Sequence, residues 1–536
     1  MKTNRLFNLI VIYTAFAVLL SAGAVAAKEG GDIIHDAEHY ILLDQHGERW
    51  AEEDKELDKK LKALRKKYGN PPNIIHILWD DTGLGDVGDP LFNKLRGYDT
   101  PNMNRMADEG MTFARMYTEP SCTPTRIAAL TGRLPTRTGV NKVLFPPDGI
   151  GLPAEEETLA EVLSAVGYAT AMYGKPHMGD IEESYMHNQG FDESLQSIYN
   201  QWDIVPFSEL GQRQGVGIGV QKDTWDRNYA LDQNFRPENA VQFIDAKKGE
   251  KAVEWAEGTW ENLRRMDKEL QKRAENFIRK SAQAKKPFYI AYWPNIPFTL
   301  LKEPGEKWTT SAGEGWAERM VELDGYIGGI LDELKAQGID ENTLVVIMAD
   351  NGPFDDYAPN NTAKSIFRGG KGSYLEGGVR VPAFARWPGV IEADSTVGDI
   401  IHVTDLYTTF ARLGGSVKNI PTDRVIDGID QTALLLNGDT HGRRDYVHIY
   451  TGPVLAATVK QQYKKHWLTD RPGLPAHSFF DLYRDPREEY GEMPRMIWSW
   501  EAFAAMKRRH EEMIEKYPHT PTRHGEPFQG IERIKQ

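Results

Sequence analysis

The chain has 536 residues, of which 40% are hydrophobic and 26% charged, with a formal net charge of -14 and one cysteine. That much apolar sequence supports a sizeable core, read as one large domain with a smaller appendage. No basic block offsets the negative charge, which argues against a nucleic-acid partner, and a lone cysteine excludes an internal disulfide.

The start reads as an export signal. Lys2 and Arg5 form a positive segment, residues 9–20 an apolar run, and Ala24-Val25-Ala26 a small-residue cleavage site. Residues 1–26 are therefore expected to be a cleaved signal peptide, leaving a periplasmic or secreted protein with no stable membrane anchor. The alternative is an uncleaved anchor, for which the run is short. Residues 27–70 are charged and carry a helical pattern over 52–68, with Leu57, Leu61 and Leu64 on one stripe. This predicts a solvated helix without chemistry.

After Pro71-Pro72, residues 73–79 (NIIHILW) form a short apolar run that predicts a buried parallel strand. It ends in Asp80-Asp81-Thr82-Gly83. Carboxylates at the C-terminal end of a central strand sit where open α/β sheets bind ligands. Adjacent acids repel unless a cation lies between them. A plain polar turn is the other reading.

Pro120-Ser121-Cys122-Thr123-Pro124-Thr125-Arg126 comes next, running into Ile127-Ala128-Ala129-Leu130-Thr131-Gly132-Arg133. Pro124 suits the first turn of a helix and Gly132 its C-terminal cap. Cys122 is thus expected just before a helix N-terminus, where the dipole favours an anion. It reads either as a small buried hydrophobe or as a thiolate nucleophile.

Helix-then-strand patterns recur at 158–166 before 168–173, at 270–284 before 288–293, and at 318–337 before 344–348. Met320, Leu323, Ile327, Ile330 and Leu331 are core positions of the last helix. The alternation predicts an α/β fold, a large mostly parallel sheet sandwiched by helices. The second strand leaves Gly174-Lys175-Pro176-His177, either a functional pair or a surface lysine beside a capping histidine. The last strand ends in Asp350-Asn351-Gly352. Oxygen ligands from two strand ends suit Ca²⁺ or Mg²⁺. A glycine-rich stretch follows, Phe367-Arg368-Gly369-Gly370-Lys371-Gly372-Ser373, then Glu376-Gly377-Gly378-Val379-Arg380. It lacks the spacing of a P-loop. Residues 71–440 are assigned to the catalytic domain. Residues 441–536 are assigned to an α+β subdomain with an amphipathic tail helix from Trp500.

Cys-x-Pro-x-Arg followed by an Ala/Leu-rich helix and Thr-Gly-Arg resembles the signature of type I sulfatases of the alkaline phosphatase superfamily. The likeness extends through Gly-Lys-x-His-x-Gly at 174–179 and the Lys371 loop. Later segments, His402-Val403-Thr404-Asp405-Leu406, Asp427-Gly428-Ile429-Asp430 and Phe480-Asp481-Leu482-Tyr483, match as structural pieces. Residues 194–265, with Trp202, Trp225 and Trp255, match poorly.

The resemblance implies an arylsulfatase-like sulfuric ester hydrolase with formylglycine at Cys122, installed by a maturation enzyme, whose hydrate is the nucleophile. It implies metal ligands Asp80, Asp81, Asp350 and Asn351 with the modified Cys122. Arg126 holds the hydrate and braces the metal carboxylates, His177 acts as base, and Lys175 and Lys371 clamp the sulfate of a small-molecule or glycan ester. One departure stands out. Asn295-Ile296-Pro297-Phe298 carries Phe298 where the family has a leaving-group-protonating histidine, which points to aryl sulfates unless His187 or His76 takes over that role. Phosphonate or phosphate monoesters on the same scaffold, carbohydrate sulfates and a degenerate binding protein are the competing functions.

Overall fold

The computed structural model describes residues 32–145, 148–199, 242–256, 259–296, 307–313, 315–354, 365–468, 478–491 and 497–531. The signal-peptide reading of 1–26, Trp202, Trp225 and Phe298 lie outside the described residues.

Five parallel strands make the centre of a ten-stranded sheet. They are β1 (Asn73–Trp79), β2 (Ala169–Gly174), β3 (Glu193–Ser197), β4 (Phe288–Trp293) and β5 (Thr343–Ala349), in the spatial order β5-β1-β4-β2-β3. The strands next to this centre run against it. Ala383–Arg386 pairs antiparallel with β5, and Phe243–Lys247 antiparallel with β3. The sheet is therefore mixed but mostly parallel, as expected, since Ser395–Val397 at the far edge again pairs parallel with Met111–Phe113. Apolar side chains on both faces explain why the middle is parallel, since β1 and β5 are buried at every position.

The longer helices are α1 (Ala37–Tyr68), α2 (Cys122–Thr131), α3 (Trp260–Ala284), α4 (Gly315–Ala336), α5 (Asp405–Gly414) and α6 (Ile497–Lys516), the last packed on α1 and on the second sheet. The core positions expected in α4 are all buried. The first helix is longer than its Leu57–Leu61 stripe predicted, because Leu42 and Trp50 continue that stripe N-terminally. It stops at Gly69, in the left-handed region at φ 79. A second sheet, four antiparallel strands in chain order, comprises β6 (Tyr446–Thr451), β7 (Val454–Lys460), β8 (Tyr463–His466) and β9 (Phe479–Asp481).

Register fixes the site. β1 and β5 run level from Asn73 opposite Thr343 to Trp79 opposite Ala349. Asp80 and Asp350 therefore leave the sheet side by side, and Asp350 N–H donates to the Trp79 carbonyl at 2.8 Å. β2 and β4 end level too, Gly174 opposite Trp293, with Lys175 N–H donating to Trp293 O at 2.7 Å. Three strand ends thus deliver Asp80, Asp350 and Lys175 to one crevice at the sheet's carboxyl edge, where β4 also ends.

Candidate active site

Ser121 caps α2 in an extended conformation, and Cys122 is the first helical residue rather than the one before the helix. All ten residues of α2 are buried. Gly132 ends it at φ 66, packed so closely on Tyr407 that an added Cβ would sit 2.5 Å from that ring. Cys122 is 2% exposed and unpaired. Arg126 follows one turn later on the same face, and the Cys122 thiol lies within electrostatic reach of Arg126, Lys175 and Asp350.

Arg126 is the hub. Its Nη2 donates to Asp80 Oδ1 at 2.6 Å and to Asp350 Oδ2 at 2.9 Å, its Nε to Asp350 Oδ2 at 3.1 Å, and its Nη1 to the Lys175 carbonyl. The Trp293 ring lies 5.5 Å from the guanidinium carbon. Lys175 Nζ donates to both Asp80 oxygens at 2.9 and 3.1 Å. Lys371 Nζ reaches both Asp81 oxygens at 2.9 and 3.0 Å. Asn351 Nδ2 donates to Asp81 Oδ1 at 2.7 Å, and Asp81 N–H to Asp350 Oδ1 at 3.1 Å. Asp81 sits at φ 52, a left-handed conformation that costs a non-glycine residue energy and turns its carboxylate into the cluster.

These charges pull one another in opposite directions. Burial pushes Asp80 up, but Lys175 and Arg126 outweigh it and hold that carboxyl well below the usual range. Burial and the charge of Asp80 push Asp350 well above it, against Arg126. Burial would lower Lys175, and Asp80 reverses this. Three carboxylates this close resist joint ionisation unless cations lie among them.

Asn351 Oδ1 is buried with no hydrogen-bond partner. An orphan oxygen beside Asp80, Asp81 and Asp350 fits an all-oxygen shell for a hard divalent cation, Ca²⁺ or Mg²⁺.

His177 is 2% exposed at φ 56. Its Nε2 and the Leu144 carbonyl are 2.8 Å apart, so Nε2 carries the proton and donates. Its Nδ1 has no partner. Burial, then the charge of Lys175, holds this ring well below the usual histidine range. It is a neutral base with an uncommitted lone pair.

The glycine-rich stretch packs backbone on backbone. Gly352 N–H donates to Gly378 O at 3.0 Å, Gly372 N–H to Pro120 O at 2.6 Å and Lys371 N–H to Pro353 O at 2.8 Å. A Cβ at Gly352 would lie 1.7 Å from the Gly377 oxygen. These close approaches carry Lys371 to Asp81 and explain the glycines.

The two alternative histidines lie elsewhere. His76 is sandwiched edge-on between Trp293 and Phe410, pushed by burial, and then by Arg126, to about 3. His187 packs beside Tyr185. Among the described residues no hydrogen bond joins either ring to the carboxylates. The roles of Trp293 and of the Leu144 carbonyl carry no motif and escape a linear reading. A cavity of about 180 Å³ adjoins the α2 N-terminus, lined by Glu119, Ser121, Pro124, Lys142, Gly372 and Tyr450. A larger one, about 870 Å³, lies between α1 and α5 and holds none of the predicted site residues.

No described helix is long and apolar enough to cross a membrane. Residues 72–416 match the family model described as Sulfatase. The chain is 31% identical over 447 residues to N-acetylgalactosamine-6-sulfatase of Canis lupus familiaris, covering 79% of each. It is 31% identical over 452 residues to arylsulfatase A of Homo sapiens, covering 78% of this chain and 83% of that one. The crystal structure of the PsFucS1 sulfatase from Pseudoalteromonas sp. superimposes with a TM-score of 0.76 at 31% identity, covering 88% of this chain and 96% of that chain.

Proposed function

The chain belongs to the sulfatase family, and as a sulfuric ester hydrolase of that family we propose that it cleaves sulfate monoesters using formylglycine made from Cys122. In this reading Asp80, Asp81, Asp350 and Asn351, with the modified Cys122, hold Ca²⁺ or Mg²⁺. The observation that carries the proposal is the meeting of three carboxylates and three cations in one crevice within electrostatic reach of Cys122, with Asn351 Oδ1 left unpartnered among them. A binding protein with a degenerate site has no use for that arrangement.

A divalent ion held by these residues would supply positive charge to offset the anionic sulfate. Formylglycine, as its hydrate, supplies a nucleophilic oxygen and a second hydroxyl through which sulfate is later released. The chain's own groups do the rest. Arg126 fixes Asp80 and Asp350 and steadies the residue at 122. Lys175 and Lys371, paired with carboxylates here, turn toward sulfate oxygens when substrate enters. His177 Nδ1 accepts the proton of the second hydroxyl.

The protein is proposed to be exported, its first 26 residues removed, and to depend on a maturation enzyme. On the leaving group two readings stand on separate observations. Phe298 in place of an acid favours aryl sulfates. The N-acetylgalactosamine-6-sulfatase relatives favour a sulfated sugar. Rates of matured enzyme on substituted phenyl sulfates and on N-acetylgalactosamine 6-sulfate separate them. A steep dependence on phenol acidity with no sugar turnover supports the first, and sugar turnover with a flat phenol series supports the second. Activity on aryl phosphonate exceeding both would contradict the sulfatase reading of this site.

A further inference from the structure

Three donors from distant parts of the chain meet apart from the carboxylate cluster. Asp36 precedes α1, His448 lies on β6, and His510 lies on α6. One ligand atom from each falls within 4.8 Å of the others. They are 2%, 4% and 1% exposed. Burying two imidazoles and a carboxylate together is costly unless their polar atoms are satisfied.

Their hydrogen bonds tie two of the three together and leave one ring nitrogen unused. His510 Nε2 meets the Tyr450 hydroxyl at 2.6 Å, which leaves Nδ1 facing both Asp36 oxygens at 2.8 and 2.7 Å. His448 Nδ1 meets Thr458 Oγ1 at 3.0 Å, and its Nε2 is buried without a partner. Each ring thus has one nitrogen held by a hydroxyl, as second partners orient metal-binding histidines, while the other pairs with Asp36 in His510 and has no partner in His448. The rings stack at 4.2 Å. Arg137 is the nearest cation to Asp36, at 3.8 Å, and its Nε is committed to Asp427 at 2.9 and 3.0 Å. Its Nη2 faces Asp36 Oδ2 without a hydrogen bond, so on the imidazole side the Asp36 oxygens meet only His510 Nδ1, a contact that an entering cation would replace.

We propose that Asp36, His448 and His510 form a second metal site, separate from the catalytic one, that takes a zinc-class divalent cation and ties the N-terminal segment, the second sheet and the tail helix together. Two imidazoles and one carboxylate select Zn²⁺ or its neighbours over Ca²⁺ and Mg²⁺, which prefer all-oxygen shells. Its role is structural, because none of its residues reaches the catalytic carboxylates. The proposal stands whatever ester the catalytic site cleaves.

Co²⁺ is the probe. A low-coordinate nitrogen site gives it strong visible absorption, while an octahedral oxygen site gives almost none. Full-length protein stripped with chelator and titrated with Co²⁺ should show such a band saturating at one equivalent. Asp350→Asn should keep the band. His448→Gln should lose it and bind Co²⁺ at least tenfold more weakly, while still hydrolysing sulfate ester in Ca²⁺. If His448→Gln does not fold, Asp36→Asn preserves the shape and should weaken the band's titration at least tenfold. Absence of a band in the unaltered protein, or an unchanged titration in Asp36→Asn or in folded His448→Gln, would overturn the proposal and leave the cluster as a histidine–carboxylate ion pair.

Discussion

Replacing Glu119 with glutamine should stabilise the protein increasingly as pH rises. Glu119 stands three residues before Cys122 and is 2% exposed. Its Oε1 has no hydrogen-bond partner, and the nearest basic group, His402 Nε2, is 3.6 Å away. His402 is no counterion, because burial and then Arg444 hold it well below the usual histidine range. Burial, reinforced by Asp427, pushes the Glu119 carboxyl up from 4.5 to about 8. The folded protein therefore keeps this proton through a window in which the unfolded chain has lost it. Stability from this group is complete below pH 4.5 and is lost as pH climbs toward 8, at about 1.4 kcal/mol per pH unit. Between about pH 5 and pH 7.5 the loss is about 3 kcal/mol, large against a typical total of roughly 5–15 kcal/mol. Glutamine keeps the shape and cannot titrate. Urea denaturation of both proteins across that range should give a stability difference that widens with pH in favour of Glu119→Gln. Parallel curves would show that Glu119 ionises normally and that its surroundings are wetter than the packing indicates.

Arg126→Met removes the cation shared by Asp80 and Asp350 and should cost about 3–5 kcal/mol by denaturant titration. Saturating Ca²⁺ should recover part of that loss, since it supplies charge to the same carboxylates, and an unchanged deficit would count against a cation there. Gly352→Ala drives a methyl group into the Gly377 carbonyl and displaces the Lys371 loop, so turnover should fall about a hundredfold in a protein that still melts cooperatively. Unaltered kinetics would mean the loop does not position Lys371. Lys464→Met strips the buried cation lying 3.0 Å from Glu376 and 3.1 Å from Glu488, with an expected loss of about 3–5 kcal/mol in urea. A change under 1 kcal/mol would show that this network is wetter than its burial implies.

The centre of the fold was legible because its signals are local. β1 and β4 coincide with their apolar runs, and β5 exceeds its run by one residue at each end. Flanking strands such as Met111–Phe113 and Ala383–Arg386 are too short to show a period, so their antiparallel pairing escaped. The predicted ligands and lysines do converge, since each lies within a few residues of a strand end or a glycine-rich turn. What sequence could not supply is pairing across distance. That Arg126 braces the carboxylates came from the resemblance alone; its position between Asp80 and Asp350 is a matter of register, and the free nitrogen of His177 depends on the Leu144 carbonyl 33 residues away. Asp36, His448 and His510 are spread over nearly the whole chain, with no spacing to betray them.

The central claim is the conversion of Cys122, and peptide mass spectrometry tests it most directly. Protein made alongside a formylglycine-generating enzyme should yield a Cys122 peptide lighter by the difference between a thiol and an aldehyde, reactive toward hydrazides. Sulfate release should scale with the converted fraction and vanish in Cys122→Ala. Full turnover by protein whose Cys122 remains an unmodified thiol, or by Cys122→Ala itself, would contradict the account.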